Sequence, residues 1–260
     1  MNRLTATLIT LNEEQNLPRA LDSLDGIADE IIVVDSGSGD RTCQIAGEHG
    51  AQVLARAWTN FAEQRNFAAT HATHDWILAL DADEELSPEL RETLQHWKRE
   101  TPDAAAYEFA RRARYLGAWI RHSGWYPDRK VRLYRRDLGQ FGGVAHDSLR
   151  VEGTVGRLSG DLYHHAFRTF AEHTAKVHAY STTAAEELFA AGQRRWLPAL
   201  VFATPWAFLR RFFLQAGFLD GRRGWLIAST SSKYVFLKYR KLGRLVRASK
   251  RGPAQGETRP

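Results

Sequence analysis

The clearest residues with chemical potential form an acidic cluster that directly follows an apolar run. The run Trp-Ile-Leu-Ala-Leu ends in Asp81, and the next residues are Ala82-Asp83-Glu84-Glu85. Alternate residues of an extended segment point the same way, so we expect Asp81 and Asp83 to converge on one cation. Carboxylate oxygens suit Mg²⁺ or Mn²⁺ carrying a diphosphate, and such an ion neutralises charge that builds on a leaving nucleotide. Taken alone, the pair is more typical of a polar turn before an acidic helix start.

Two further polar loops follow apolar runs. Thr10-Leu11-Asn12-Glu13-Glu14 follows the first run, and Ser36-Gly37-Ser38-Gly39 follows the run that ends in Asp35. Ligands of open α/β sheets bind at the carboxyl ends of strands, where Asp35 can accept hydrogen bonds from a base or ribose. A tight strand-to-helix turn, capped by Asp40 or Thr42, explains the second loop equally well. Three polar loops on one sheet edge nevertheless favour a binding site.

The elements that must position these loops alternate between strand and helix. Apolar runs at 4–11, 30–35, 51–54 and 76–81 predict strands, and the near-continuous runs at 30–35 and 76–81 suit strands buried on both faces. Helix-period stretches at 16–24, 41–49 and 60–74 lie between them, and Ser87-Pro88 opens another helix. This alternation predicts a doubly wound α/β architecture. Short β-like runs from 104 to 161 predict a second, mixed subregion on the same sheet, and a long helix is expected from 169 to 191.

Composition and charge limit the class of protein. The chain has 260 residues, 43% of them hydrophobic, so it can bury a large core, and its single cysteine, Cys43, excludes a disulfide framework. Carboxylates appear before any signal-peptide core is complete, so we expect an intracellular protein. The net charge of +6 divides into −7 for residues 1–193 and +13 for residues 194–260. The net negative charge of residues 1–193 argues against direct binding of nucleic acid to this part of the chain.

The last quarter of the chain is basic and aromatic. The uncharged run from Trp196 to Leu209 is too short to cross a bilayer, which needs about 20 apolar residues. Arg210-Arg211 interrupts it, and a second aromatic segment at 225–239 contains Lys233 and Lys238. Aromatic side chains beside Arg and Lys favour a helix in the membrane interface over a soluble helical subdomain with a solvated basic face. After about Val246 we expect a disordered basic tail.

Several motifs together resemble the family-2 glycosyltransferases of the GT-A fold. They are Thr10-x-Asn12-Glu13-Glu14, Val34-Asp35-Ser36-x-Ser38-x-Asp40-x-Thr42, Gln64-Arg65-Asn66 and Leu80-Asp81-Ala82-Asp83-Glu84. A second set resembles the branch of lipopolysaccharide core β-1,4-glucosyltransferases: Gly124-Trp125-Tyr126-Pro127-Asp128, Arg132-Leu133-Tyr134, His146-Asp147, Tyr163-His164 and Gly217-Phe218-Leu219-Asp220-Gly221. The resemblance covers about residues 4–242.

The resemblance implies a donor site and a metal site. Thr10, Asn12 and Glu14 would line the nucleotide pocket, Asp35 would contact uracil or ribose, and Arg65 would reach the base or the diphosphate. Asp81 would lie near ribose and metal, Asp83 would bind Mg²⁺ or Mn²⁺ directly, and His164 would complete the metal or phosphate shell. By their residue types alone, Arg65 is more typical of a solvated helix surface, and His164 is slightly more typical of a structural histidine.

The resemblance also implies an inverting transfer. An acceptor hydroxyl has a pKa far above neutral, so a carboxylate must take its proton as it attacks the anomeric carbon. Asp147 is the candidate base, although the branch usually has glutamate there, and Asp128 is the rival. Trp125 and Tyr126 can stack on acceptor sugars, with core packing equally compatible, and Arg132 is the third candidate acceptor residue.

The sequence therefore predicts an enzyme with a GT-A domain and a C-terminal helical, membrane-associating extension. We expect a donor-binding half at 1–100, an acceptor-binding half at 101–168, a helical region at 169–245 and a tail at 246–260. The expected reaction moves glucose from UDP-glucose to a lipid-anchored saccharide, such as the lipopolysaccharide inner core, on the cytoplasmic face of an anionic membrane. The alternatives are a nucleotidyltransferase, whose phosphate loop is missing here, and a nucleic-acid-binding protein that acts through the basic tail.

Overall fold

The computed structural model describes residues 1–143 and 148–251. The chain divides into two compact units, each built from two stretches of sequence. Unit 1 consists of Met1–Ala113 and Pro127–Ala166, and unit 2 consists of Arg114–Tyr126 and Phe167–Pro260. The predicted polar loops of the first hundred residues all belong to unit 1.

The strands, in chain order, are β1 (Leu4–Thr10), β2 (Glu30–Asp35), β3 (Gln52–Ala55), β4 (Trp76–Asp81), β5 (Glu84–Leu86), β6 (Ala106–Tyr115), β7 (Ala118–Trp119), β8 (Asp128–Arg135), β9 (Gly139–Gly142), β10 (Ser148–Val151) and β11 (Val155–Phe167). The main sheet has the order β3-β2-β1-β4-β8-β6-β11-β5, and β9 and β10 form a separate antiparallel pair. β1 runs parallel to β2 and β4, whereas β8 is antiparallel to β4. The sheet is therefore mixed, as expected from the change in sequence texture after residue 104.

The helices of unit 1 are α1 (Leu17–Leu24), α2 (Thr42–Glu48), α3 (Phe61–His71) and α4 (Pro88–Trp97). β4 shows how they cover the sheet: Leu78 and Leu80 pack into one apolar cluster with α1 and α4. Ile77 and Ala79 point to the opposite face and pack into a second cluster with α3. Successive strand residues alternate between two buried faces, which confirms the predicted doubly wound arrangement. Ser87 caps α4 by accepting a hydrogen bond from the Leu90 amide at 3.1 Å, as predicted.

Unit 2 is mainly helical. Its helices are α5 (Phe170–Ala190), α6 (Leu197–Leu209) and α7 (Gly221–Arg251), and a π-helical turn (Arg210–Leu214) and a 3₁₀ turn (Gly217–Asp220) join α6 to α7. Thr169 forms a capping box with Glu172 at the start of α5. β7 and the last residues of β6 and β11 also belong to this unit.

Two features of unit 2 differ from the sequence expectation. Arg210-Arg211 does not end the helical path, because the π-helical turn continues it to Leu214. Leu197–Leu214 is thus 18 residues long with a mean hydropathy of 1.2, which by length and composition alone suffices to cross a membrane. In addition, α7 continues to Arg251, beyond Val246, where a tail was expected to begin.

Candidate functional site

The pairing of the central strands brings three predicted site residues to one edge of the sheet. In the parallel pair β1–β2, Thr10 lies opposite Asp35, and in the pair β1–β4, Ile9 lies opposite Asp81. Thr10, Asp35 and Asp81 are the last residues of their strands. The carboxyl ends of parallel strands are where α/β folds bind ligands, so this edge is the candidate site.

The loops that follow β1 and β2 are joined by hydrogen bonds. Asn12 has a φ of 56°, a left-handed conformation that asparagine tolerates better than most residues. Its amide donates to Ser38 Oγ at 2.8 Å, and its Oδ1 accepts from the Gly39 amide at 2.9 Å. Glu14 exchanges bonds with the same loop, since its amide donates to Asp40 and its carboxylate accepts from the Arg41 amide. Asn12 and Glu14 thus fix the shape of this edge.

The structure places Asp35 inside the turn rather than facing outward. Its side chain accepts hydrogen bonds from Thr10 Oγ1 at 2.9 Å, from the Gly37 and Ser38 amides and from the Ser38 hydroxyl. Burial alone would raise the pKa of Asp35, but these donors lower it below its ordinary value. Asp35 therefore organises the strand-to-helix turn, which is the alternative that the sequence left open.

Asp81 lies between two arginines. Arg65 from α3 pairs with Oδ1, and Arg132 from β8 donates to Oδ2 at 2.8 Å. Burial alone would raise the pKa of Asp81, but the two guanidinium groups hold it well below its ordinary value. The side chain of Arg65 is only 4% exposed, so it does not form the solvated helix surface that its residue type allowed. The two guanidinium groups thus favour the ionised form of Asp81 and hold its carboxylate in one position.

The period-two argument for Asp81 and Asp83 does not extend beyond Asp81. β4 ends at Asp81, and residues 82 and 83 form a turn before β5, so the alternation of an extended strand stops there. The antiparallel pairing of β5 with β11 places His164 opposite Glu84, next to Asp83. His164 Nε2 lies 3.3 Å from Asp83 Oδ2, while Asp81 contacts the arginines instead.

The separation of the Asp83–His164 pair is compatible with two ligands of one metal ion, and equally with a direct ion pair. Two ligand atoms that each lie about 2.1 Å from one ion are about 3.0 Å apart at octahedral angles and somewhat farther apart at wider ones. The observed 3.3 Å falls in that range. In residues 1–143 and 148–251 no group of three or more His, Cys, Asp and Glu could hold a metal ion. An ion at this pair would therefore need further oxygen ligands from a substrate or water.

Arg132 is buried in a charge network, and its role as an acceptor contact stays a prediction. It binds Asp81 and also Glu84 Oε1 at 2.9 Å, and its side chain is 7% exposed. The pairing of β6 with β8 explains its position. Tyr107 lies opposite Leu133 and Glu108 opposite Val131, so Arg132 is the extra residue of a β-bulge. A bulge turns a side chain out of the regular alternation, in this case toward the two carboxylates.

Asp128, the rival candidate base, is paired with two cations. Arg111, its cross-strand neighbour, donates to Oδ2 at 2.7 Å, and Lys130 lies 3.1 Å from Oδ1. Burial raises the pKa of Asp128, but Arg111 and Lys130 lower it below its ordinary value overall. A carboxylate with a lowered pKa is a weaker proton acceptor, so this environment disfavours Asp128 as general base. The other candidate, Asp147, and its neighbour His146 lie outside the described residues.

The acceptor candidates Trp125 and Tyr126 belong to unit 2. The Trp125 ring packs edge to face against Tyr115, with ring centroids 5.3 Å apart, and also contacts Phe167 and His173. Tyr126 is half-buried. The contacts of Trp125 favour the packing role that the sequence left equally open, and its acceptor role stays a prediction.

Several site residues were not singled out from the sequence. Glu84 is buried, accepts from Arg111 and Arg132 and also bonds the Asp81 amide at 3.0 Å. The alternation of charges at Asp128, Lys130 and Arg132 on one strand was the available signal for a polar sheet face. It could not show the bulge or the partner Arg111, because both depend on cross-strand register.

Gln64 and Asn66, which flank Arg65, were seen as part of a motif but without a role. Asn66 exchanges two 2.9 Å hydrogen bonds with the backbone of Phe141 in β9. Gln64 donates to the Ala57 carbonyl at 2.9 Å, and its buried Oε1 has no hydrogen-bond partner among the described residues. Gln64 therefore anchors the loop that contains Ala57, Arg65 holds the carboxylate of Asp81, and Asn66 anchors β9.

Comparison with known proteins agrees with this architecture. The sequence profile described as Glycosyl transferase family 2 matches residues 5–150. Together with the mixed sheet, it confirms the expected GT-A fold and favours a glycosyltransferase over a nucleotidyltransferase. A lipopolysaccharide core biosynthesis glycosyltransferase, LpsC of Rhizobium meliloti, is 31% identical over 92% of this chain and 91% of its own length. An uncharacterized glycosyltransferase of Rickettsia typhi is 30% identical over 94% of this chain and 87% of its own length.

Two solved structures show more distant likeness. Glucosyl-3-phosphoglycerate synthase from Mycobacterium tuberculosis, in complex with Mn²⁺, UDP and phosphoglyceric acid, is 29% identical with a TM-score of 0.29. That alignment covers 32% of this chain and 34% of the synthase. Residues 1–349 of TarS from S. aureus are 14% identical with a TM-score of 0.47, covering 97% of this chain and 93% of theirs. Likeness at this level does not define a ligand for the chain.

Proposed function

The chain belongs to glycosyl transferase family 2, and from that premise we propose that it transfers a hexose from a nucleotide sugar to a lipid-anchored saccharide with inversion. The proposed donor is UDP-glucose, and the proposed acceptor is a saccharide such as the lipopolysaccharide inner core. Support for this class of acceptor comes from the Rhizobium meliloti relative, whose description as a lipopolysaccharide core biosynthesis enzyme applies to a protein matched over 92% of this chain.

The Asp83–His164 pair at the carboxyl edge of the sheet is the observation that carries the proposal. Its two ligand atoms, 3.3 Å apart, suit Mg²⁺ or Mn²⁺, while Asp81 is engaged by Arg65 and Arg132. A bound ion would supply Lewis-acid stabilisation of the leaving nucleotide diphosphate. We therefore assign Asp83 and His164 as metal ligands, with Asp81 as the fixed charge behind them.

The loops after β1 and β2 are the proposed nucleotide site. Asn12 is exposed and Glu14 half-buried, and both are held by the neighbouring loop, so their outward atoms can meet a base or ribose without reorganisation. Thr10 and Asp35 are 4% exposed and bonded to each other, and they support this loop from behind. Arg65 acts on the donor through Asp81, whose charge it fixes.

Asp147 is the proposed general base. An acceptor hydroxyl needs a carboxylate free to take its proton, and Asp128 is held by Arg111 and Lys130. In-line attack on the anomeric carbon, with the nucleotide leaving from the opposite face, inverts that carbon without a covalent enzyme intermediate. Trp125 and Tyr126 remain proposed acceptor contacts.

The proposed location is the cytoplasmic face of the cell membrane, with the chain held peripherally on anionic lipid. Basic residues far outnumber acidic ones after residue 193, and this supports the location because positive charge is attracted to anionic lipid. No nucleic-acid partner is proposed.

The metal assignment is tested by measuring UDP-glucose hydrolysis and thermal stabilisation of the purified chain with EDTA, Mg²⁺ or Mn²⁺. We expect chelator to abolish hydrolysis, and Asp83→Asn to lower it at least about a hundredfold because the ion loses a ligand. Asp137→Asn, at an aspartate that is 57% exposed and paired with Arg135, is the matched control. Full hydrolysis in EDTA would remove Asp83 from the metal site.

The same preparation tests the base. Asp147→Asn should abolish transfer to a saccharide acceptor and leave stabilisation by UDP-glucose and metal nearly unchanged. Asp128→Asn should retain more transfer than Asp147→Asn does. Near-normal turnover of Asp147→Asn would show that another group takes the proton.

A further inference from the structure

We propose that the surface of α6, the π-helical turn and the 3₁₀ turn inserts into one leaflet of an anionic bilayer, with α6 lying in the membrane interface and not crossing it. We call this surface the apolar surface and define it as the exposed apolar side chains of residues 197–225. This docking mode deepens the proposed function, on which it rests for the need to reach a lipid-linked acceptor.

The apolar surface exposes large side chains over one continuous stretch of chain. Its most exposed members include Phe202, Trp206, Phe213, Leu214, Phe218 and Leu219, each between 50% and 74% exposed. None of the residues of α6 is buried. Soluble proteins rarely expose large contiguous apolar patches without a partner, and aromatic residues are typical of the membrane interface.

The exposed residues of α6 share one side of the helix. Leu197, Val201 and Trp206 are exposed, whereas Leu200, Thr204 and Ala207, on the remaining side, are half-buried. Spacings of three to five residues keep the exposed positions within about half of the helix circumference. An apolar half that faces outward is the pattern of a helix lying in an interface.

Exposed cations within and next to residues 197–225 favour an anionic lipid. Arg195, Arg210 and Arg222 are exposed, and among the described residues their guanidinium groups have no hydrogen-bond or ion-pair partner. Asp220, the carboxylate between them in sequence, is 7% exposed at its side chain and already accepts bonds from the Arg121 and His122 amides. Lipid phosphates would supply the missing negative charge.

The packing of α6 on α7 argues against a spanning helix, even though Leu197–Leu214 is long and apolar enough. Ser232 Oγ in α7 donates to the Thr204 carbonyl at 2.9 Å, and Gly243 leaves room for the Trp196 ring, which a Cβ there would approach to 2.7 Å. α6 therefore packs along the stretch of α7 that carries Lys233, Lys238, Arg240 and Lys241. Moving α6 across the hydrocarbon would draw this stretch with it, and charges at that depth are costly.

Flotation of the full chain with phosphatidylcholine vesicles, with or without phosphatidylglycerol, tests the docking surface. We expect capture by the anionic vesicles only, and weaker capture at high salt, because the arginines act through screened charge. Phe202→Glu and Phe213→Glu should each lower vesicle partitioning at least about tenfold. Val155→Glu, at a valine of unit 1 that is 47% exposed, is the matched control and should bind normally.

Two results of this experiment would overturn the proposal. One is unchanged capture of Phe202→Glu and Phe213→Glu, with far-UV circular dichroism showing that both variants are folded. The other is retention of the chain on RNA without capture by anionic vesicles, which would show that the exposed arginines bind nucleic acid and not lipid.

The orientation of α6 is tested with fluorescent NBD probes at both ends of the helical path. Leu197 and Leu214 are 53% and 70% exposed, so Leu197→Cys and Leu214→Cys, each in a Cys43→Ser background, can carry the label. With chain added to preformed vesicles, external dithionite should quench both probes to the same extent. Protection of one end only would show a spanning helix and overturn the interfacial mode.

Hydrolysis of UDP-glucose in solution separates this proposal from the proposed function. Phe202→Glu should lose vesicle capture and retain hydrolysis, whereas Asp83→Asn should lose hydrolysis and retain capture. Loss of capture by Asp83→Asn, with its fold intact, would contradict a docking surface confined to unit 2.

Discussion

Two buried arginines of unit 1 contrast with two exposed arginines of unit 2. In unit 1, the side chains of Arg65 and Arg132 are 4% and 7% exposed, and both pair with carboxylates. In the described part of unit 2, Arg210 and Arg222 are exposed, and the only carboxylates in that part are those of Glu172, Glu186, Glu187 and Asp220. A charge can be buried only with a partner, so unit 1 holds its charges at fixed positions.

This difference separates two tasks that require different physics. A transfer site needs charges held in place before the substrate arrives, since reorganisation raises the barrier. A surface that meets lipid instead needs mobile cations and exposed apolar side chains that reach phosphates and acyl chains in many arrangements. Substitutions in the buried charge network of unit 1 should therefore lower the free energy of unfolding far more than substitutions at exposed apolar residues of unit 2.

The largest effect on stability is expected from breaking the buried network. Arg132→Met leaves the buried Glu84 and the partly buried Asp81 with one cation fewer, and breaking a buried ion pair on one side costs about 3–5 kcal/mol. The free energy of unfolding, from urea titration of the full chain, measures this loss.

Arg157→Met is the matched control for that variant. Arg157 pairs with Glu108 in the same unit but is 65% exposed, so its loss should change the unfolding free energy by less than about 1 kcal/mol. Equal costs for the two variants would contradict the view that unit 1 fixes its charges through burial.

A second effect concerns His173, a buried histidine of unit 2 that has no carboxylate partner among the described residues. Burial, assisted by the charge of Lys176, lowers the pKa of His173 to about 4. Below pH 6.5, the ordinary pKa of histidine, His173 binds a proton in the unfolded chain. In the folded chain it stays neutral until the pH approaches 4. Stability should thus fall by up to about 3 kcal/mol as pH drops through this window.

Hydrogen exchange along α5 at pH 7 and pH 4.5 measures this loss in unit 2 alone. His173→Gln can keep a hydrogen bond to the Tyr115 hydroxyl, now 2.8 Å from His173 Nδ1, and should flatten the pH dependence. His178→Gln, at an exposed histidine of the same helix, should leave it unchanged. An unaltered profile in His173→Gln would assign the pH effect to another group.

Local pattern predicted much of unit 1 because its strands are buried on both faces. The apolar run that ends at Asp81 became β4, and the Ser87-Pro88 start of α4 was also correct, since both depend on nearby residues alone. The partners of Asp81 could not be predicted in this way. Arg65 lies on another element, and Arg132 reaches Asp81 only because a bulge between paired strands displaces it.

The same limit applies to the rest of the predicted site. Asp83 was expected to follow the strand alternation, but the turn at 82–83 redirects it to His164, more than eighty residues later. Trp125 was equally compatible with stacking on sugar or on protein, and the packing of Tyr115 against it is a tertiary contact. Sequence thus identified the residue types and the sheet edge, while long-range contacts decided which atoms meet.

The smallest effect on stability is expected where the contrast between the units is sharpest, at the exposed apolar side chains of unit 2. Phe213 is 55% exposed, so Phe213→Ser removes little buried area and should change the unfolding free energy by less than about 0.5 kcal/mol. The solubility limit of the chain without lipid should rise, because an aromatic group is removed from the apolar surface.

Phe109→Ser, at a fully buried residue of unit 1, should instead cost several kcal/mol, about as much as Phe→Ala changes in protein cores. Similar losses for the two variants would mean that Phe213 is part of a core, and that unit 2 does not keep its apolar side chains for an external partner.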